Sequence, residues 1–175
     1  MIYFTSDLHL GHANAIRLSK RPFQSLEEMN ETIINNYNSV VHANDIVYIL
    51  GDLTFRLPIE EANSIIKRLK GTKILIRGNH DKEYNTALFE DILDFTTFRY
   101  NHVVFSMIHY PMMEWLHSRH NRGINLHGHI HSDGSYNERN VANGILRYDV
   151  GVDSHNYYPI SLDEIFEKFR PYLKI

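Results

Sequence analysis

The sequence predicts an α/β fold with two packed β-sheets, and three observations carry that expectation. Strand-like apolar runs alternate with amphipathic helical patterns in the first half. Strands dominate the second half. Short polar stations sit at or near the ends of several of the strand-like runs.

Ile2 to Thr5, Ile46 to Leu50 and Lys73 to Ile76 are short and rich in β-branched and aromatic residues, as buried strands are. Between the first two, Leu26, Met29, Ile33, Ile34, Tyr37, Val40 and Val41 recur mostly three and four apart. They follow Ser25 with Glu28 three residues on, the pattern of a capping box that opens a helix. Ahead of the third strand, Pro58 stands at an early helical position, Ala62, Ile65, Ile66 and Leu69 share one face, and Gly71 ends the helix. This strand–helix alternation favours a mainly parallel sheet. Thr96 to Tyr100 and Val103 to Ile108 then read as a hairpin turning at Asn101 and His102. Ile124 to His127 and Ile145 to Val150 read as further strands, which makes a second sheet. Ser161 and Glu164 cap a closing helix whose face is Leu162, Ile165, Phe166, Phe169, Tyr172 and Leu173.

Bulk properties bound the function. The chain has 175 residues, 43% apolar and 22% charged, with no repeat, low-complexity tract or flexible linker, so one domain over residues 1–175 is expected. With no cysteine there is no disulfide, thiolate metal site or cysteine nucleophile, and a reducing compartment is compatible. No leader-like segment and no apolar run of about 20 residues is seen, so a soluble, cytoplasmic protein with no membrane partner is expected. A net charge of −3 argues against coating nucleic acid through a broad basic surface, although a local positive site would escape that count. Twelve histidines are the one oddity.

Many of those histidines fall in the polar stations. In order these are Asp7 with His9; Gly51 with Asp52; Gly78, Asn79, His80 and Asp81; His109; and Gly128, His129, Ile130 and His131. Side chains at the carboxyl ends of adjacent strands of an open α/β sheet converge on one crevice, so Asp7, Asp52 and Asn79 can meet although distant in sequence. Gly51, Gly78 and Gly128 are expected to allow sharp turns that point the next side chain inward. Asp7 and His9, like His129 and His131, are two apart and would face the same side of an extended segment.

These stations, in this order and spanning residues 7 to 131, resemble the metallophosphoesterase, or calcineurin-like phosphoesterase, superfamily. The resemblance implies a sandwich of two mixed β-sheets flanked by helices. It also implies that Asp7, His9, Asp52 and His131 hold one divalent cation and Asp52, Asn79, His109 and His129 a second, with Asp52 bridging. His80 is implied to lie beside the substrate rather than on a metal.

The residue types suit that chemistry on their own terms. Two cations about 4 Å apart can share a hydroxide of near-neutral pKa and clamp phosphate oxygens during in-line attack. Counting +4 for two cations, −2 for Asp7 and Asp52 and −1 for hydroxide leaves about +1, which attracts an anionic ester even to an acidic protein. Nitrogen and oxygen donors without sulfur suit manganese, iron, zinc or nickel better than copper(I), and imidazoles disfavour a pure magnesium or calcium site. His80 would protonate the leaving oxygen or stabilise developing charge, with Asp81 either orienting it or capping a helix.

Serine/threonine protein phosphatases of this superfamily carry an acidic residue three positions after the bridging aspartate. Here that position is Phe55, and Asp81 stands where they have glutamate, which argues against a protein phosphatase. Arg56 is a candidate phosphate contact or an ordinary exposed arginine. His12 lines the substrate cleft or bonds within its loop. Trp115 and Tyr136 either stack on a base or pack. His127 reads as core, and His155 is left outside the site.

The leading expectation is a binuclear metal-dependent phosphodiesterase acting on a small or nucleotide-like ester, because only Arg56 and Arg77 stand near the motifs and a diester monoanion needs less positive clamping than a monoester dianion. A phosphomonoesterase such as a nucleotidase is the first alternative, and a nuclease acting on polymeric DNA or RNA the second. A catalytically silent scaffold is the last, since it has no need of seven ligands plus His80.

Overall fold

The computed structural model describes residues 1–175. Strands β1 (Ile2–Thr5), β2 (Ile46–Ile49), β3 (Thr72–Ile76) and β4 (Asp91–Leu93) run parallel in one sheet. A short antiparallel strand from near the carboxyl terminus, Ile160–Ser161, closes the β1 edge and gives the order β4-β3-β2-β1-β9 when numbered along the chain. The second sheet has the order β5 (Thr96–Tyr100), β6 (Val103–Met107), β7 (Gly123–His127), β8 (Arg147–Asp149). There β5 and β6 form an antiparallel hairpin, while β6, β7 and β8 are parallel. Both sheets are therefore mixed, as expected. The hairpin turns where predicted, with Asn101 and His102 both at positive φ, 46° and 65°, the backbone twist a two-residue primed turn requires.

Alternation along each strand of the first sheet feeds two separate cores. Val47, Ile49 and Leu75 face helices α2 (Leu26–Val40) and α3 (Ile59–Ile66), joining Ile33, Ile34, Tyr37, Ala62 and Ile66. Phe4, Leu50 and Ile76 point the other way, toward Phe105, Met107, Ile124 and Leu126 of the second sheet and toward Ile165, Phe166 and Phe169 of α5 (Leu162–Phe169). Burying both faces is what makes these strands continuously apolar rather than alternating.

The helix signals hold with small adjustments. Ser25 Oγ accepts the Glu28 N–H at 3.1 Å, and Ser161 with Glu164 forms a complete capping box. Pro58 sits one residue before α3, as its N-cap, rather than inside it. The segment 132–144, to which the sequence patterns assign no element, contains α4 (Ser135–Ala142), and a short α1 (Ala13–Leu18) follows the first station. No helix is long and apolar enough to cross a membrane.

Candidate metal centre

All five stations meet at one edge of the sandwich, where the carboxyl ends of β1, β2 and β3 face those of β6 and β7. Asp7 lies two residues past β1, Asp52 three past β2, Asn79 three past β3, His109 two past β6, and His129 with His131 beyond β7. The sheets reach the centre from opposite sides, which is why residues more than one hundred positions apart touch. His9 Nε2 is 3.1 Å from His131 Nε2 and 3.6 Å from Asp52 Oδ2. His109 Nε2 lies 3.6 Å from the same Asp52 oxygen and 3.0 Å from Asn79 Oδ1, which is also 3.2 Å from His129 Nδ1. Two clusters able to hold a cation result, Asp7 with His9 and His131, and Asp7 with Asp52 and His109, the donor atoms in each within 4.8 Å of one another.

Extended backbone is not how these side chains converge. Asp7, His9, Asp52, His129 and His131 all have positive φ, between 47° and 72°, so each pair follows a left-handed kink rather than the strand alternation expected. Such conformations cost of order 1–3 kcal/mol per residue and persist where surroundings impose them, typically at functional sites. Here the first loop is pinned by backbone N–H groups: those of Asp7 and His9 donate to the Gly51 and Asp52 carbonyls at 3.0 Å each, and that of Leu10 donates to Leu53 at 3.1 Å.

The glycines serve two purposes, not one. Gly51, at φ 94°, does supply a turn closed to ordinary side chains. Gly128 has ordinary φ and is needed for space: a Cβ there would run into Ser6 Oγ and the Asp7 carboxylate. Gly78 likewise leaves room for Asp52.

Electrostatics at this edge ask for a cation. Asp7 is fully buried, its only ion-pair partner is His131 at 3.7 Å, and burial pushes its pKa up to about 8. Burial, reinforced by the neighbouring His131, lowers His9 to about 2, so its imidazole is neutral and offers a lone pair. Burial likewise lowers His129. Several nitrogen and oxygen lone pairs thus point at each other across about 3 to 4 Å with too few protons to share, an arrangement that divalent cations satisfy. The donor set of carboxylate, amide oxygen and imidazole fits divalent metal ions of the manganese-to-zinc series.

Ring orientation is set from behind. His109 Nδ1 faces the Leu50 carbonyl oxygen at 2.8 Å; since a carbonyl only accepts, Nδ1 carries the proton and Nε2 is left free toward the centre. His131 Nδ1 lies 2.9 Å from Asp153 Oδ2 and 3.0 Å from Ser19 Oγ. Burial alone would lower His131, yet the hydrogen bond to Asp153 and the nearby Asp7 raise it. Asp153 is gripped by buried Arg21, whose Nε and Nη2 each donate to it at 2.9 Å. The same guanidinium donates to the Asp7 and Leu8 carbonyls at 2.7 and 3.0 Å.

Arg21 and Asp153 were not foreseen. Gly151 and Asp153 just past β8 repeat the station pattern, and that was the available signal for the aspartate; nothing marks Arg21. Asp81 does not orient His80. Its carboxylate accepts the N–H groups of Asp52 and Leu53 at 2.9 Å each and of Gly78 at 2.8 Å, tying two stations together.

His80 stands exposed at the rim, its N–H donating to Asp52 Oδ1 at 2.9 Å. A cavity of about 310 Å³ over the centre is lined by His9, His12, His80, His129 and His131, with Leu18 and Ser19 on the outer side. His12 stacks on Phe55 at 3.7 Å between ring centroids. Arg56 is exposed outside that lining, its guanidinium 5.0 Å over the Phe55 ring. His127 is buried between the Gly128 carbonyl and Tyr136, and His155 turns its Nε2 to the Asp149 carbonyl, away from the centre. Trp115 packs, donating Nε1–H to the Gly123 carbonyl at 2.8 Å.

Carboxylates and imidazoles converging where two mixed sheets meet define a metal-dependent hydrolase. The chain belongs to the calcineurin-like phosphoesterase family, whose model matches residues 1–171, and it is accordingly a metal-dependent phosphoric ester hydrolase. It is 38% identical over 165 residues to an uncharacterised protein of Methanocaldococcus jannaschii, covering 94% of this chain and 88% of that one. A gene 66 protein of Mycobacterium phage L5 is 36% identical over 81 residues, 45% of this chain and 39% of the phage protein. The crystal structure of a protein of unknown function from Aquifex aeolicus superposes with a TM-score of 0.75 at 28% identity, covering 95% of this chain and 98% of that one.

Proposed function

We propose that the chain is a cytoplasmic phosphodiesterase of a single domain, residues 1–175, acting on a small, nucleotide-like phosphodiester. Asp7, His9, Asp52 and His131 hold one divalent cation, and Asp52, Asn79, His109 and His129 the other; manganese, iron, zinc and nickel all suit the donors. Bound there, the pair supplies a nucleophilic hydroxide and positive charge for the phosphate oxygens.

The remaining roles belong to side chains. His80 at the rim delivers a proton to the leaving oxygen, and the backbone hydrogen bond to Asp52 fixes where it stands. His12, flat against Phe55, walls the cavity on the substrate side. Arg56, free above Phe55, meets the ester where it leaves that wall.

One observation carries the preference for a diester: the charged and titratable groups lining the cavity over the centre are five histidines and Asp52, with no lysine or arginine. A monoester dianion needs more compensating charge than such a lining offers, whereas a diester carries a single negative charge. With manganese supplied, bis(p-nitrophenyl) phosphate should be hydrolysed with a higher kcat/KM than p-nitrophenyl phosphate, and the reverse preference would overturn the reading. His80→Ala should retain its metal yet lose roughly 10²-fold or more in rate, most for poor leaving groups. Loss of metal from this variant would remove His80 from this role.

A further inference from the structure

Beside the histidine-lined cavity runs a second, open cleft of about 480 Å³, and the two share Leu18, Ser19 and His131. Its charge is of a different kind. Lys20 and Arg139 both line it, and neither forms an ion pair with a carboxylate. The one acid in the cleft, Asp133, has its Oδ1 accepting the Ser135 N–H at the start of α4, 3.1 Å away; hydrogen bonds from the Ser135 side chain and backbone, with a smaller contribution from Arg139, hold its carboxyl below the ordinary value. Two cations against one occupied carboxylate leave the cleft net positive.

The walls complete a binding surface. Leu18 and Ile130 are 64% and 37% exposed, large apolar groups presented at the mouth rather than buried. Tyr136 is held rigid, its hydroxyl 3.1 Å from His127 Nε2 and the Arg147 guanidinium 5.8 Å over its ring. A rigid ring beside two apolar side chains suits the face of a sugar or base, and unpaired Lys and Arg suit a phosphate.

We propose that this cleft receives a second phosphate, carried on one alcohol half of the diester, so that the preferred substrate is a phosphodiester with a further phosphate monoester one sugar away. The inference rests on the diesterase reading above. Division of labour follows from it: the reacting phosphodiester lies in a cavity whose lining holds no lysine or arginine, with Arg56 only beyond its wall, and the spectator dianion lies where two cations line the cleft.

Two chromogenic esters isolate the effect, since both release p-nitrophenol from the 5′-phosphate of thymidine and only one carries a 3′-phosphate. The phosphorylated ester should show a kcat/KM about tenfold higher, the scale of one charge-assisted contact at a partly exposed site. In the double variant Lys20→Gln with Arg139→Gln, the ratio between the two esters should fall to about one. A ratio of about one in the wild type, or a ratio unchanged by the double variant, overturns the proposal while leaving the diesterase reading standing if both esters are hydrolysed. If neither is hydrolysed, that reading fails, and equilibrium dialysis of the two esters decides the cleft alone: equal binding by wild type and double variant overturns it, and a preference for the 3′-phosphorylated ester that the double variant loses supports it.

Discussion

The two halves of the metal centre are braced in opposite ways. Asp7 and His9 are buried, and His131 is backed by the Asp153 carboxylate, which is in turn forked by Arg21. On the far side of Asp52, His109 is backed only by a neutral carbonyl, that of Leu50, while Asn79 and His129 are exposed. One half is a charged relay with Asp7 and His9 buried. The other is a neutral arrangement open to solvent. Charge-assisted hydrogen bonds are stronger and hold geometry better than neutral ones, so the relay half should bind its cation tightly and exchange it slowly, whereas the open half should load later and release first.

In the proposed ligand assignment Asp52 serves both cations, so removing its charge should have the largest effect. Asp52→Asn withdraws a charge lying 3.6 Å from both His9 and His109, so both cations should be lost and turnover should fall by roughly 10³-fold, the scale of several kcal/mol of lost charge stabilisation. Elemental analysis after manganese loading, read beside kcat, checks this; retention of two metals would break the idea of a shared bridge. A smaller and selective effect is expected from the brace. Asp153→Asn should weaken one cation about 10- to 100-fold and leave the other nearly unchanged, while Asn79→Ala should do the opposite. Calorimetric titration resolves the two steps. If both variants weaken the same step, the halves are not independent and the contrast drawn here fails.

The same contrast explains what was legible in the sequence. Candidate ligands that follow a strand by two to four residues carry their own signal, because an apolar run ending in a polar group is visible locally, and the seven stand together in the fold. The brace carried only half a signal: Asp153 follows a strand as the stations do, but nothing marks Arg21, 132 positions away, and only packing introduces the two. Helix α4 was missed for a related reason. Its buried face is made of Asn137 and Asn140 rather than apolar side chains, with Asn137 exchanging hydrogen bonds with the Asp149 backbone at 2.7 and 2.8 Å, so no hydrophobic period exists to be read. The left-handed kinks at the stations were hidden too. Sequence spacing alone cannot distinguish two side chains alternating along a strand from two converging through a kinked loop.

A last prediction concerns the buried half without metal, where Asp7 is held up at about 8 by burial. In the unfolded chain the same carboxyl titrates near the ordinary value of about 4. Between about pH 4 and pH 8 the native protein therefore keeps a proton that the unfolded chain has released. This contribution to stability is complete below about pH 4 and is lost as pH rises through about 8. His9, lowered to about 2 chiefly by burial, acts in the opposite direction over part of that range, so the absolute curve mixes the two. Comparing metal-free wild type with Asp7→Asn cancels His9 to first order: the variant has no proton to lose, and its stability relative to wild type should rise steadily between about pH 5 and pH 8. Urea denaturation in a chelator measures the difference at each pH. Adding manganese should reverse the order at the alkaline end, because only the ionised carboxylate gains from the cation. A difference that is flat with pH would mean that Asp7 is charged in the empty site, and that the relay alone, without a metal, already compensates it.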